Sequence, residues 1–281
     1  MQQFLVDFTE FSFLQHAFLS GVLASIACGI IGTFVVVRRI SYMAGGISHT
    51  VLGGMGAALY LRTVYGVEWI GPLHGAVISA LLSAIIIGLV SLKAKQREDT
   101  VIGALWAIGM AVGILFISRT PGYNTDLMSY LFGNILMVSA DDLWLLVCLD
   151  ILVLACGIVF YRQFMAVCFD EEFATLRGVR VDFYYLLLLC LTALTVVVLV
   201  TVVGIVMVIA MLTLPTAIAG FFSKTLRHMM FLAAILCALF TTGGLALSYG
   251  PNYPTGATTI LLAGITYLAI VICRTLRVSM R

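Results

Sequence analysis

Long, continuous apolar runs are the feature that most constrains how this chain folds. A helix that crosses the hydrocarbon core of a bilayer needs about 20 predominantly apolar residues. Nine such runs can be placed, at residues 13–37, 41–61, 70–92, 100–118, 143–161, 183–202, 204–222, 229–249 and 257–273. They do not alternate in polarity as the strands of a membrane barrel do. The sequence therefore predicts an all-α fold, a polytopic transmembrane helix bundle with about eight to nine spans, set in a lipid bilayer.

The charged residues exclude one class of partner and predict an orientation. The net charge of +2 is too small to indicate a nucleic-acid partner. If the N-terminus lies outside, 13 of the 15 Lys and Arg residues fall in cytoplasmic segments, as the positive-inside rule requires. This bias favours an odd number of spans. The weakest boundary lies at Val203 and Gly204, where only a glycine separates two runs, so a tight hairpin or a broken helix is expected there.

The chain has no short-period repeat and no low-complexity linker, which predicts a single transmembrane domain over residues 1–281. Two cytoplasmic loops are expected, at about 161–182 and 215–228. The first contains the segment DEEFATLRGV, which is typical of a capped helix with Asp170 at the N-cap and Gly178 just past the end. It is therefore expected to be a folded element.

The second predicted loop contains the segment LTLPTAIAGFFSKTLRHMM. Pro215 lacks a backbone donor, and we expect it to end a span at a kink. The chain is then expected to continue through Gly220 into a short basic helix.

His49 is the candidate functional residue of the membrane interior. It lies ten residues beyond Arg39, which corresponds to about 15 Å along a helix and places it near the midplane. Its helix face contains four glycines, which permit close approach of another helix or leave a groove beside the imidazole: Gly45, Gly46, Gly53 and Gly56. Because ionisable residues at this depth mark ion paths and imidazole binds transition metals, His49 is interpreted as a transient metal ligand. A packing histidine bonded to a neighbouring helix and a proton relay are the alternatives.

Asp150 is the single acidic residue well inside a predicted span. It is a second candidate for the ion path. A carboxylate paired with a neighbouring polar group is the alternative, and the sequence leaves both open.

Six segments resemble, in order and spacing, the permeases of zinc/manganese/iron ABC importers, and most of all the zinc-uptake permease. These segments are VVVRRISYMAGGISHTVLGG, EDTVIGALWAIGMAVGILF, TDLMSYLFGNILMVSADDL, DEEFATLRGV, VGIVMVIAMLTLPTAIAGFFSKTLRHM and TTGGLALSYGPNYPTGATTILLAG. The resemblance covers nearly the whole chain. It implies the ABC importer permease fold and a bacterial cytoplasmic membrane as the location.

The resemblance also implies partners. They are a second copy of this chain, with the ion path along the two-fold axis of the homodimer, a cytoplasmic ABC ATPase subunit and an extracytoplasmic metal-binding protein. No cofactor is implied. The residues expected to couple the chain to the ATPase are Pro215, Gly220, Ser223, Lys224, Thr225 and Arg227.

Two positions depart from the family pattern. Members usually carry an aspartate four residues before the histidine, where this chain has Gly45, and zinc-type members carry a histidine aligned with Ala107. Which metal is carried is therefore open. Two His49 side chains meeting across the dimer axis would supply a second ligand, and sulfur from Met43, Cys28 or Cys190 is the alternative.

Other function classes are less compatible with the residues present. The sequence has no Walker A loop, no His-Glu-x-x-His and no Gly-x-Ser-x-Gly, so we expect no enzyme activity and an ATPase on a separate subunit. A permease for a metal chelate such as a siderophore or cobalamin is the alternative. A proton- or sodium-coupled secondary transporter would need intramembrane carboxylates, of which only Asp150 is present.

Overall fold

The computed structural model describes residues 7–94, 98–121, 137–251 and 253–279. Within these ranges all regular elements are helical, which confirms the all-α prediction. The α-helices are α1 Ser12–Val37, α2 Ser41–Tyr65, α3 Pro72–Leu89, α4 Glu98–Arg119, α5 Ala140–Val159, α6 Tyr161–Phe169, α7 Glu171–Leu176, α8 Val181–Val203, α9 Ile205–Phe222, α10 Leu226–Tyr249 and α11 Thr255–Ser279, and a π-helix, Val90–Ala94, directly follows α3.

Eight helices in the described part of the chain are long and apolar enough to cross a membrane. They are α1, α3, α4, α5, α8, α9, α10 and α11, which confirms the prediction of eight to nine spans. α2 has 25 residues and is also long enough. Its glycines, hydroxyl residues and His49 lower its hydropathy, however, so its assignment as the ninth span stays a prediction.

The chain divides into two compact units. The first comprises residues 1–36, 128–154 and 202–281, and the second comprises residues 37–127 and 155–201. The prediction of a single transmembrane domain stays a prediction, since one permease domain can contain two compact groups of helices.

In the first unit, α1 packs against α9 and α10 through small residues. Gly29 lies against Ala234 of α10, so closely that a Cβ atom added at Gly29 would lie 2.7 Å from the Cβ of Ala234. Gly32 lies in the same way against the Leu212 carbonyl of α9. Small residues let membrane helices approach until their backbones touch, which is how helices gain contact area where lipid offers no hydrophobic driving force.

A single residue, Gly204, separates α8 from α9. Its backbone angles, φ 82° and ψ 162°, lie in a region that essentially only glycine adopts. The sequence predicts a tight hairpin or a broken helix at this boundary, and the structure has a break of one residue there.

The prediction that Pro215 ends a span is wrong. α9 runs without a break from Ile205 to Phe222, with Pro215 inside it. A proline removes one backbone hydrogen bond, and membrane helices tolerate this because neighbouring groups satisfy the freed carbonyl. The predicted loop 215–228 is thus reduced to residues 223–225, and no separate basic helix follows.

The predicted capped helix is confirmed. The Asp170 carboxylate accepts a hydrogen bond from the Phe173 backbone N–H at 2.9 Å, and Gly178 follows the end of α7 with φ 76°. In the same unit, Arg38 forms an ion pair with Glu171, and its guanidinium carbon lies 5.2 Å from the centre of the Tyr185 ring. Arg38 thereby attaches the α6–α7 element to the chain just before α2.

The Cys168 thiol in α6 provides a test of this attachment. Burial raises the pKa of Cys168 to about 12 and outweighs the opposing effect of the Arg38 guanidinium. Because the thiolate is the nucleophile, a thiol with this pKa has on the order of 1,000-fold less reactive form at pH 8 than an ordinary cysteine. We expect a variant with Cys168 as its only cysteine to react with maleimide more than about 100-fold more slowly than an exposed cysteine.

The matched control is Leu176→Cys in a chain without other cysteines, since Leu176 is 86% exposed on the adjacent α7. Arg38→Ala removes a cation that lowers the pKa of Cys168, and this change alone would slow the labelling. We nevertheless expect faster labelling, because loss of the ion pair with Glu171 frees α7 and exposes the thiol to the reagent. An unchanged labelling rate in Arg38→Ala would show that the ion pair does not hold this element.

Candidate functional site

His49 lies in the first half of α2 and is buried, with 9% of its surface exposed. Its imidazole stacks on the indole of Trp106 from α4, with ring centres 4.3 Å apart and planes inclined by 10°. The Nδ1 atom is fully buried and has no hydrogen-bond partner among the described residues. A purely structural histidine was expected to bond to a neighbouring carbonyl or serine, and Nδ1 makes no such bond within the described ranges.

The glycine face of α2 brings α4 close to His49. A Cβ atom added at Gly53 would lie 2.7 Å from the Gly109 carbonyl oxygen, and one added at Gly56 would lie 2.9 Å from that of Gly113. Gly46 meets the side chain of Ile102. Of the two possibilities that the sequence left open, close helix approach is therefore the one found at these three glycines.

A second close approach covers another side of α2. Gly54 lies against the backbone of Gly75 in α3, so closely that neither position has room for a side chain. Between α2 and α4, the Thr50 hydroxyl lies 3.2 Å from the Leu105 carbonyl oxygen and can donate a hydrogen bond to it. The helix that carries His49 is thus held on two sides by backbone contacts, which fixes the position of the imidazole.

Asp150 lies in α5 with 5% of its surface exposed. Neither carboxylate oxygen has a hydrogen-bond partner among the described residues. No side-chain partner for the carboxylate is found among the described residues of the first unit, where the backbone of Ala27 in α1 is the polar group beside it.

These candidates do not form a complete metal site. Within residues 7–94, 98–121, 137–251 and 253–279, no group of three or more His, Cys, Asp and Glu side chains is placed to hold a metal ion. Among the described residues, His49 and Asp150 therefore stay candidate ligands, one with nitrogen and one with oxygen, that belong to no such group.

The predicted coupling residues lie at the junction of α9 and α10. Pro215 is buried within α9, and a Cβ atom added at Gly220 would lie 3.2 Å from the terminal methyl of Met229. The Thr225 hydroxyl caps α10 by accepting a hydrogen bond from the His228 backbone N–H at 3.3 Å. The remaining residues of this set occupy the connection and the first turn of α10: Ser223, Lys224 and Arg227.

Sequence reasoning missed Trp106. Its indole ring stacks directly on the imidazole of His49. The signal available in the sequence was a large aromatic residue within the small-residue segment WAIGMAVG, next to Ala107. The contact itself depends on the register between α2 and α4, which a single sequence does not give.

Comparison with known proteins places the chain among membrane transport components. It is 41% identical over 256 residues to the probable metal transport system membrane protein of Chlamydia pneumoniae, covering 91% of this chain and 87% of the relative. It is 32% identical over 268 residues to a manganese import system permease protein of Streptococcus gordonii, covering 95% and 94% of the two chains.

A solved structure agrees in fold. PsaBC from Streptococcus pneumoniae, determined in complex with Fab, matches with a TM-score of 0.82 and 32% identity over 95% of this chain and 94% of that chain. The eight apolar helices and the bacterial relatives identify a multi-pass protein of the bacterial cytoplasmic membrane. Between residues 10 and 274 the sequence matches one transporter family, and on this evidence the chain belongs to the ABC 3 transport family.

Proposed function

We propose that this chain is the membrane-spanning permease subunit of an ATP-driven importer for divalent transition-metal ions. The observation that carries the proposal is the buried imidazole of His49, whose Nδ1 has no partner among the described residues. A buried polar atom without a hydrogen bond is costly, and a transient ligand for a passing cation accounts for it. The metal and manganese transport named for two relatives supports the same class of substrate.

The chemistry of the site narrows the substrate class. Imidazole suits zinc and iron, whereas manganese favours carboxylate and carbonyl oxygen. The position four residues before His49 is Gly45, which provides no carboxylate. We therefore infer a preference for divalent ions that bind nitrogen, zinc or iron(II), over manganese. The histidine of zinc-type members is also absent at Ala107, so this inference rests on His49 alone.

The proposed assembly is a homodimer with two ATPase subunits and an extracytoplasmic metal-binding protein. One imidazole binds a borderline cation weakly, which suits transit. Two His49 side chains facing each other across the dimer axis would hold the ion without a permanent site. ATP hydrolysis is assigned to the separate subunit because this sequence contains no Walker A motif.

Two inner elements are candidates for contact with the ATPase. The first is the predicted set of coupling residues at the α9–α10 junction, where Lys224 is exposed in the three-residue connection. The α6–α7 element presents three exposed apolar side chains, Phe169, Phe173 and Leu176. Such a patch favours burial by a partner protein, so we propose α6–α7 as a second docking element beside the predicted one.

Measurement of uptake tests the function. Proteoliposomes containing the permease, its ATPase and its binding protein would be supplied with radiolabelled zinc, manganese or iron(II), with ATP or ADP. We expect uptake only with ATP, and more for zinc or iron than for manganese. Uptake driven by an ion gradient without the ATPase would overturn the proposal in favour of a secondary transporter. Uptake of metal chelates alone would favour the chelate permease.

The same preparation separates the two docking elements. Leu176→Glu should reduce stimulation of ATP hydrolysis by the permease about tenfold if α7 is buried against the ATPase, since burying an unpaired charge is costly. Lys224→Glu tests the α9–α10 junction in parallel. Full stimulation in both variants would exclude both contacts as coupling elements.

A further inference from the structure

Trp106 is held in place by contacts on its face and on its ring nitrogen. Its indole face stacks on the His49 imidazole. Its Nε1–H donates a hydrogen bond to the Met110 sulfur, one turn further along α4, at 3.3 Å. Tyr42 lies seven residues before His49, on the same face of α2. The centre of its ring lies 5.8 Å from that of Trp106. The indole therefore cannot rotate without breaking at least one of these contacts.

The stack constrains the orientation of His49. Parallel rings at 4.3 Å leave the imidazole one plane in which to lie, and tilting the ring would open the contact. A neutral histidine without such a constraint would rotate until its ring nitrogens found partners, because buried polar atoms are nearly always hydrogen-bonded. Nδ1 nevertheless has no partner among the described residues. The stacking on Trp106, which restricts the tilt of the ring, explains why Nδ1 stays without a hydrogen-bond partner.

We propose that Trp106 is the positioning residue for His49 and that Met110 in turn fixes Trp106. In this arrangement the Met110 sulfur accepts the indole N–H and is not a ligand for soft ions. Trp106 keeps the imidazole in one plane, so that the ring does not tilt toward a protein carbonyl and its nitrogens remain available to a passing divalent cation. This inference rests on the proposed function, since it assumes that the ion contacts His49.

Transport kinetics test the positioning role in the complete complex. Trp106→Phe keeps an aromatic face and should retain most of the uptake. Trp106→Leu fills the space without a face and should raise the KM for zinc about tenfold, within the 10- to 100-fold range typical for loss of a group that orients a metal ligand. Met110→Leu removes the acceptor for the indole N–H and should give an intermediate KM. Equal KM values for Trp106→Phe and Trp106→Leu would overturn the proposal.

Fluorescence provides a readout that a merely structural role would not produce. The chain has three tryptophans, and Trp69 and Trp144 are 77% and 69% exposed. Replacing both by phenylalanine leaves Trp106 as the only tryptophan of the permease, and a complex in which all three are phenylalanine provides the blank. Added Co²⁺ should quench Trp106 emission. His49→Phe, which keeps a stacked ring but has no nitrogen ligand, should abolish the quenching.

The two experiments separate the failure of each idea. Quenching that persists in His49→Phe, or no quenching in the variant that retains His49, would show that the ion does not bind His49, and would overturn both the positioning role and the proposed place of His49 in the path. Quenching that depends on His49, together with normal KM values in Trp106→Leu, would overturn the positioning role alone. Quenching that depends on His49 and a raised KM in Trp106→Leu are the expected pair of results.

Discussion

Replacing His49 by alanine is expected to reduce ATP-dependent metal uptake by about 10- to 100-fold or more. Loss of a group that only orients a metal ligand typically costs this much in metal affinity or activity, and here the ligand itself is lost. The variant removes the one ring nitrogen donor that α2 places in the predicted membrane interior. The expected cause is a higher barrier to entry of the partly dehydrated ion, not loss of the subunit. Uptake of the preferred ion in proteoliposomes measures the effect, together with copurification of the ATPase as a check of assembly.

His16→Ala is the matched control. His16 lies in α1, and its Nδ1 is 3.3 Å from the Val138 carbonyl oxygen, so it already has a protein partner. We expect uptake within about twofold of the original chain, as is usual for substitutions away from a site. If His49→Ala transports at the original rate while remaining assembled, His49 is a packing residue and Asp150 becomes the leading candidate for the path.

The second large effect is expected at the contact between α2 and α3. Gly54→Ala places a methyl group against the Gly75 carbonyl and the Ser79 side chain, where the backbones leave no room. Overpacking of this kind costs about 1–3 kcal/mol, and here a helix backbone has to move. We expect a clear fall in the melting temperature of the detergent-purified protein, and reduced yield from the membrane.

Gly264→Ala in α11 isolates the steric cause. A Cβ atom at Gly264 meets nothing within 4 Å, so this substitution changes only helix propensity. It should be neutral, or stabilising by up to about 1 kcal/mol. Equal melting temperatures for Gly54→Ala and Gly264→Ala would show that α2 and α3 do not approach as closely as described.

The spans and the α7 cap could be predicted from the sequence because their causes are local. An apolar run of sufficient length has few alternatives to a membrane helix. Asp170 and Gly178 satisfy the ends of α7 within their own segment. The glycine face of α2 was likewise visible, because helical periodicity alone places Gly53 and Gly56 beside His49.

The sequence-based predictions failed where packing against a neighbouring helix determines the local structure. Pro215 was expected to end its helix, because the loss of one donor is unfavourable when a segment is considered alone. Within packed helices that loss is tolerated, and α9 continues to Phe222. Trp106 was missed for the same reason, since its stack on His49 depends on how α2 and α4 are aligned.

The polarity of α2 affects how the newly made chain enters the membrane. Among the long helices of the described ranges, α2 alone falls short of the apolar character of a span. Its glycines and His49 would expose backbone and polar groups to lipid if the translocon released it alone. Its shielding comes from α3 and α4, which are synthesised later. We therefore expect α2 to remain at the insertion machinery until α4 emerges, so that the helix carrying His49 is released into the bilayer already paired.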